Sequence, residues 1–138
     1  MNVVQLSLPG ARVLDLFAGT GALGIEALSR GAVTAEFVDL DPRSLTVLRS
    51  NLDSLGAASR STVTRADALE FAETLSRDAY DVVFADPPYA TDASVKLAER
   101  WLQSPFSAVI GIEHLRSVAM PPGGDTRRYG DSGITFYR

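Results

Sequence analysis

The chain contains no cysteine, a single histidine (His114) and a single lysine (Lys96). Without cysteine there are no disulfides, no thiolate metal sites and no cysteine nucleophile. With one histidine, neither a histidine metal cluster nor a catalytic arrangement needing several histidines can be assembled, so no metal site is expected. Arginine supplies the other twelve of thirteen basic residues, and seventeen acidic residues leave a net charge of −4. Non-specific nucleic-acid affinity comes mainly from clustered positive charge, so this balance gives no sign of a strongly phosphate-binding protein. No apolar run approaches the roughly 18 to 20 residues that a membrane span needs. The N-terminus also lacks the basic start, apolar middle and small-residue cleavage pattern of a secretory signal. These absences lead to the expectation of a cytoplasmic protein with no membrane partner. Nothing fixes its oligomeric state, and a monomer is the default.

What is present is 138 residues, 46% of them hydrophobic, with eleven Gly and seven Pro. That length predicts one domain over residues 1–138 with room for a single core. Apolar runs rich in Val, Phe and Leu alternate with segments of helical period, the pattern of an α/β domain with a mainly parallel sheet. Strands are predicted at Arg12 to Phe17, Thr34 to Val38, Thr62 to Arg65, Tyr80 to Ala85 and Ala108 to Glu113. Helices are predicted at Ala22 to Arg30, stopped by Gly31, and at Ala68 to Leu75. Between them, Asp41 caps a helix with Pro42 in its first turn, a buried stripe of Leu45, Leu48, Leu52 and Leu55, and Gly56 at its end. A later helix is expected to be capped by Asp92, with Val95, Ala98 and Leu102 on one face. Pro121 to Gly124 read as a turn, and Gly133 to Tyr137 as a terminal strand in a hairpin-like arrangement with the region before it.

Gly19, Gly21 and Gly24 form G-x-G-x-x-G between the first strand and the first helix, so a nucleotide-like ligand is expected over this turn. Asp39, ending the second strand, is placed to accept both hydroxyl protons of a ribose. A dinucleotide and S-adenosylmethionine share that need but differ in charge, since the first brings an anionic pyrophosphate and the second a sulfonium and an ammonium. Asp15, just before the turn, favours the cationic ligand; alternatively its side chain bonds the loop's own N–H groups, a role compatible with binding. Asp67 can accept from an adenine amino group, with the Ala68 N–H beside it for a ring nitrogen, or it can serve as a helix cap.

Asp86-Pro87-Pro88-Tyr89 follows a buried strand, and the two prolines stiffen the chain. The Asp86 carboxylate and Pro87 carbonyl then stand as two neighbouring acceptors, suited to the two hydrogens of a flat exocyclic amine. Such a site works by alignment and by stabilising charge that grows on nitrogen. Tyr89 offers a ring for stacking on an extruded base, or plugs the turn.

The segments Asp15 to Gly24, Glu26 to Ala32, Phe37 to Asp39, Asp86 to Tyr89 and Tyr129 to Arg138 together resemble the RsmD-like methyltransferases. These enzymes methylate the exocyclic N2 of a guanine in small-subunit (16S) ribosomal RNA with S-adenosylmethionine. The resemblance implies a Rossmann-like class I methyltransferase fold, with a seven-stranded, mainly parallel sheet whose last strand is antiparallel. It implies cofactor contacts from Asp15, Phe17, Ala18, Gly19, Thr20, Gly21, Asp39, Asp67 and Ala68. Target-amine contacts fall to Asp86, Pro87 and Tyr89, and the partner is ribosomal RNA or the small subunit. The Asp-Pro-Pro-Tyr sequence is shared with DNA adenine-N6, DNA cytosine-N4 and protein glutamine-N5 methyltransferases, so it assigns chemistry better than substrate. The family's N-terminal RNA-holding segment does not fit into Met1 to Pro9, which leaves a cofactor-binding module without activity as an alternative. A nicotinamide-dependent oxidoreductase is a further rival, without an evident catalytic proton donor.

Four residues have plainer readings. His114 is expected to be a structural, hydrogen-bonded histidine, and Trp101 a packing residue. Arg127 and Arg128 either meet RNA phosphates or form a solvated pair, since two charges do not make a patch.

Overall fold

The computed structural model describes residues 7–138, so most of the stretch from Met1 to Pro9 lies outside the described residues. Strand β1 (Arg12–Leu16) is buried on both faces after its first residue, as the continuous apolar run Val13-Leu14 demands of a central parallel strand. It pairs in parallel with β2 (Thr34–Asp39) on one side and β4 (Tyr80–Ala85) on the other. Outside β2 lies β3 (Ser61–Arg65), and outside β4 lies β5 (Ser107–Leu115). Antiparallel β7 (Ser132–Tyr137) then pairs with both β5 and the edge strand β6 (Asp125–Tyr129). The seven-stranded order is β3-β2-β1-β4-β5-β7-β6, with β7 the strand of opposite direction. The chain leaves β1 toward β3 and returns to β4, so the order reverses between β1 and β4. Ligand crevices form at the carboxyl ends of strands flanking such a reversal.

Helices cover both faces. Helix α1 (Ala22–Ser29) and helix α2 (Pro42–Ser54) lie on one side, where Val13, Phe37, Leu48 and Phe84 belong to one core cluster. Helix α3 (Ala68–Glu73) and helix α4 (Ala93–Gln103) cover a second cluster with Leu14, Leu16, Val83, Trp101 and Ile110. Alternation along β1 sends Val13 and Leu14 to opposite layers, and by the same period Asp15 faces the α1 side.

The start of α2 follows its sequence signature: the Asp41 side chain accepts from the Arg43 N–H at 3.0 Å with Pro42 in the first turn. Its stripe is shorter than expected. Leu45, Leu48 and Leu52 are buried, but Leu55 is 63% exposed, because it has passed beyond the last turn and caps the helix. The face of α4 is also different. Ala93, Ser94, Leu97, Ala98 and Trp101 are buried, whereas Leu102 is exposed and Val95 only half-buried. Trp101 sets this rotation by donating to the Ser107 hydroxyl at 2.9 Å and packing on the Tyr137 ring. Asp92 makes no side-chain cap; the Thr91 hydroxyl accepts from Ala93 N–H instead, and Asp92 pairs with Lys96 at 3.2 Å. A short 3-10 turn at Ala58–Arg60 and the extension of β5 to Leu115 were not anticipated. Strand β1 ends one residue early, at Leu16, because Phe17 turns to φ 57°. Helix α3 stops at Glu73, two residues short of Leu75.

Among the described residues no helix is long and apolar enough to cross a membrane.

Candidate active site

At the carboxyl ends of β1, β2, β3 and β4 a cleft of about 770 Å³ is lined by Phe17, Asp39, Leu40, Asp41, Ala66, Asp67, Ala68, Asp86, Pro87, Pro88 and Tyr89. Four of these are aspartates and none is Lys or Arg, so the walls are complementary to a cation and repel a pyrophosphate. The backbone enters the cleft through Phe17, a non-glycine residue held at φ 57°, which is costly and persists where the surroundings impose it.

The three glycines of the first turn do different work. A Cβ at Gly24 would overlap the Phe37 ring, so this glycine lets α1 lie close on β2. Gly21 is likewise closed in by Leu48, whereas Gly19, at φ 58°, faces open space with nothing within 4 Å of a Cβ. Only Gly19 therefore leaves room for an approaching ligand. The Gly19 N–H donates to Asp39 Oδ2 at 2.8 Å and the Asp41 N–H to Asp39 Oδ1 at 2.9 Å. A carboxylate has about four lone-pair positions, so Asp39 retains capacity for two further donors. Ala18 holds the loop to β2 through its N–H on the Val38 carbonyl at 3.0 Å. Thr20 is exposed, accepts from Asn51 at 3.2 Å and does not line the cleft.

Asp15 lies beneath the turn at 1% exposure, accepting from the Gly24 N–H at 3.0 Å. Burial pushes its carboxyl up to about 8, against the pull of that N–H, with smaller contributions from the charges of Asp86 and Asp39. Of the two readings of its sequence position, the bond to the loop's own N–H is the one observed. Asp67 caps α3 by accepting from the Glu70 N–H at 3.0 Å and also faces the cleft. The Ala68 N–H belongs to the first turn of α3 and has no intrahelical acceptor.

Asp86 follows directly on β4, its N–H reaching the Leu16 carbonyl of β1 at 3.4 Å. Partial desolvation, and then the charge and hydrogen bond of Glu113 on β5, push the Asp86 carboxyl up to about 6. Glu113 also accepts from the Tyr129 hydroxyl at 3.3 Å, and burial beside Glu113 pushes the Tyr129 phenol up to about 12. The Tyr89 hydroxyl lies 3.0 Å from that of Ser132, which ties the Asp-Pro-Pro-Tyr turn to β7 while its ring stays 41% exposed. Glu113 and Tyr129 were not singled out from the sequence as site residues. The available signal was an acidic residue at the end of the otherwise apolar run Ala108 to Glu113.

Elsewhere, His114 is buried between the Leu115 carbonyl at 2.8 Å and the Thr135 hydroxyl at 2.7 Å, a structural histidine as expected. Arg127 and Arg128 sit on the exposed edge strand, with Arg127 3.8 Å from Asp125. No metal-binding group of carboxylates and histidine occurs among the described residues.

A parallel sheet in the order β3-β2-β1-β4-β5 with an antiparallel β7, and a cleft at its switch point, defines the class I methyltransferase fold. The pattern of the family described as Conserved hypothetical protein 95 matches residues 1–138, and the chain belongs to this RsmD-like family. It is 35% identical over 148 residues to YlbH of Bacillus subtilis, covering 99% of this chain and 80% of that one. It is 33% identical over 132 residues to Ribosomal RNA small subunit methyltransferase D of Haemophilus influenzae, covering 91% of this chain and 68% of the relative. A conserved hypothetical protein of Streptococcus pyogenes superposes with a TM-score of 0.81 at 31% identity, covering 94% of this chain and 86% of the other. The fold alone is shared, at 15% identity and a TM-score of 0.74, with an RNA methyltransferase from Salinibacter ruber solved with S-adenosyl-L-homocysteine, covering 98% of this chain and 85% of the other.

Proposed function

We propose that this chain is an S-adenosylmethionine-dependent methyltransferase that modifies the exocyclic N2 of a guanine in small-subunit ribosomal RNA. The observation that carries this reading is the cleft itself. Asp86 and Pro87 stand at one end and Asp39 and Asp67 at the other, with no Lys or Arg among the described residues that line it. That charge suits a sulfonium and an ammonium and opposes a dinucleotide, which argues against the nicotinamide-dependent rival. The name of the Haemophilus influenzae relative supports an RNA substrate, and the ligand of the Salinibacter ruber enzyme supports the cofactor.

Within this reading Asp39 takes the ribose hydroxyls with the lone pairs left over by Gly19 and Asp41. Asp67 and the Ala68 N–H face the adenine edge, Phe17 packs against the nucleoside, and Ala18, Gly19, Thr20 and Gly21 shape the turn beside it. Asp15 supplies negative charge beneath. When bound, the cofactor supplies an electrophilic methyl group. The Asp86 carboxylate and Pro87 carbonyl accept the two hydrogens of the target amine and aim its lone pair, so the gain comes from alignment. As the nitrogen–carbon bond forms and the carbon–sulfur bond breaks, positive charge grows on nitrogen and Asp86 stabilises it. The surplus proton then leaves to Asp86 or to solvent. Tyr89 offers its exposed ring to the extruded base.

Incubating the protein with labelled cofactor and, separately, unmethylated small ribosomal subunits, DNA and a release factor tests the substrate. Label is expected in the subunit RNA, recovered as N2-methylguanosine. Label confined to DNA or to the release factor overturns the RNA reading, and binding of NAD without S-adenosylmethionine overturns the cofactor as well.

A further inference from the structure

The proposed chemistry needs two acceptors for the amine, yet the structure gathers a third. Glu113 on β5 stands beside Asp86 because β4 and β5 pair with Ala85 opposite Ile112, which puts the next residue of each strand side by side. After desolvation, the charge of Glu113 is one of the causes that push the Asp86 carboxyl up, as expected of two acidic side chains at neighbouring strand ends. From the other side the Tyr129 hydroxyl donates to Glu113 Oε1 at 3.3 Å, and Tyr129 is itself fixed by the pairing of β6 with β7 opposite Ser132. Strands β4, β5 and β6 thus converge to hold one carboxylate beside Asp86, half-buried rather than spread into solvent.

The identity of this third group separates the possible amines. In guanine the exocyclic N2 is flanked by a ring N1–H, a donor. In adenine and cytosine the ring nitrogen next to the amine carries a lone pair, and in a glutamine side chain the neighbour is a carbonyl oxygen. A carboxylate next to Asp86 attracts the first and repels the other three. The nearby hydroxyls do not reverse this, since Tyr129 donates to Glu113 and the Tyr89 hydroxyl lies against that of Ser132. Resting on the guanine reading above, we propose that Glu113 is a substrate-specificity residue. Held between Asp86 and Tyr129, it accepts the ring N1–H beside the target amine and makes the site select guanine. Tyr129 is then a positioning residue that acts through Glu113. A site built to bond a substrate N–H rejects analogues without it far more strongly than a shape-matched pocket can, because a buried polar group is left unpaired.

The discriminating probe is 2-aminopurine, which keeps the exocyclic amine at the same ring position but has a lone pair at N1. Small-subunit RNA is ligated to carry guanine or 2-aminopurine at the methylated position, assembled into subunits, and assayed for methyl transfer. The wild-type protein is expected to turn over guanine at least about a hundredfold faster than 2-aminopurine. Glu113→Gln presents an amide N–H to the 2-aminopurine N1, so the ratio is expected to narrow to within about tenfold while cofactor affinity is unchanged. Tyr129→Phe is expected to narrow the ratio less. Equal wild-type rates on the two bases overturn the inference even if no variant folds. An unchanged ratio in Glu113→Gln overturns it as well, and in both cases the methyltransferase reading stands. Failure of the wild-type protein to methylate either base overturns that reading and this inference together.

Discussion

Asp15 gives the sharpest physical prediction, because its burial opposes the negative charge that the proposed function assigns to it. Burial holds its carboxyl at about 8, while in the unfolded chain it returns to the ordinary value near 4. Between those values the folded protein keeps a proton that the unfolded chain gives up. The contribution of Asp15 to stability is therefore fully present below about pH 4 and is lost as the pH rises toward 8. By linkage the loss between pH 5 and pH 8 is about 3 to 4 kcal/mol, on the order of 10 °C in Tm for a domain of this size. Asp15→Asn retains an acceptor for the Gly24 N–H and removes the titration. Thermal unfolding of both proteins from pH 5 to pH 8 is expected to show the variant gaining on the wild type by that amount as the pH rises. The same substitution is expected to weaken S-adenosylmethionine binding and to abolish the proton release that accompanies it, read by calorimetry in buffers of different ionisation enthalpy. Wild-type and variant curves that run parallel across the whole range would refute the reasoning, since Asp15 would then be charged in both states.

Asp39→Ala removes a carboxylate that orders the turn and is assigned the ribose, and charge-assisted hydrogen bonds are worth about 1.5 to 3 kcal/mol; calorimetric titration should show cofactor affinity reduced roughly ten- to a hundredfold. Single-turnover methyl transfer should rise with pH through about 6, because the Asp86 carboxyl is held near that value and must be ionised to accept the amine; a profile flat from pH 5 to 8 would contradict its role. Gly24→Ala forces a Cβ into the Phe37 ring, and urea denaturation should register a loss of about 1 to 3 kcal/mol.

Much of the scaffold is written locally. Strand β4 runs from Tyr80 to Ala85 as the sequence indicates, because the apolar run meets two prolines that cannot continue a central strand. The start of α2 is equally local, set by an aspartate and a proline in adjacent positions. The face of α4 was misread because Val95, Ala98 and Leu102 obey the same period as Ser94, Leu97, Ala98 and Trp101. What decides between them is the contact of Trp101 with β5 and β7, and local pattern does not contain it. The candidate site divides in the same way. Asp39 ends β2, Asp67 and Asp86 follow β3 and β4, and their place on the cleft wall was legible from position alone. Glu113 and Tyr129 reach Asp86 only through the β4–β5 and β5–β7–β6 pairings, which join residues far apart in the chain.

The most direct test of the account is Asp86→Ala, assayed for methyl transfer and cofactor binding on one preparation. If, as proposed, that carboxylate aligns the amine and stabilises its growing charge, turnover should fall at least about a hundredfold while S-adenosylmethionine binds with nearly unchanged affinity. Normal turnover in this variant would contradict the central claim that the acceptors at the tip of β4 hold the reacting nitrogen.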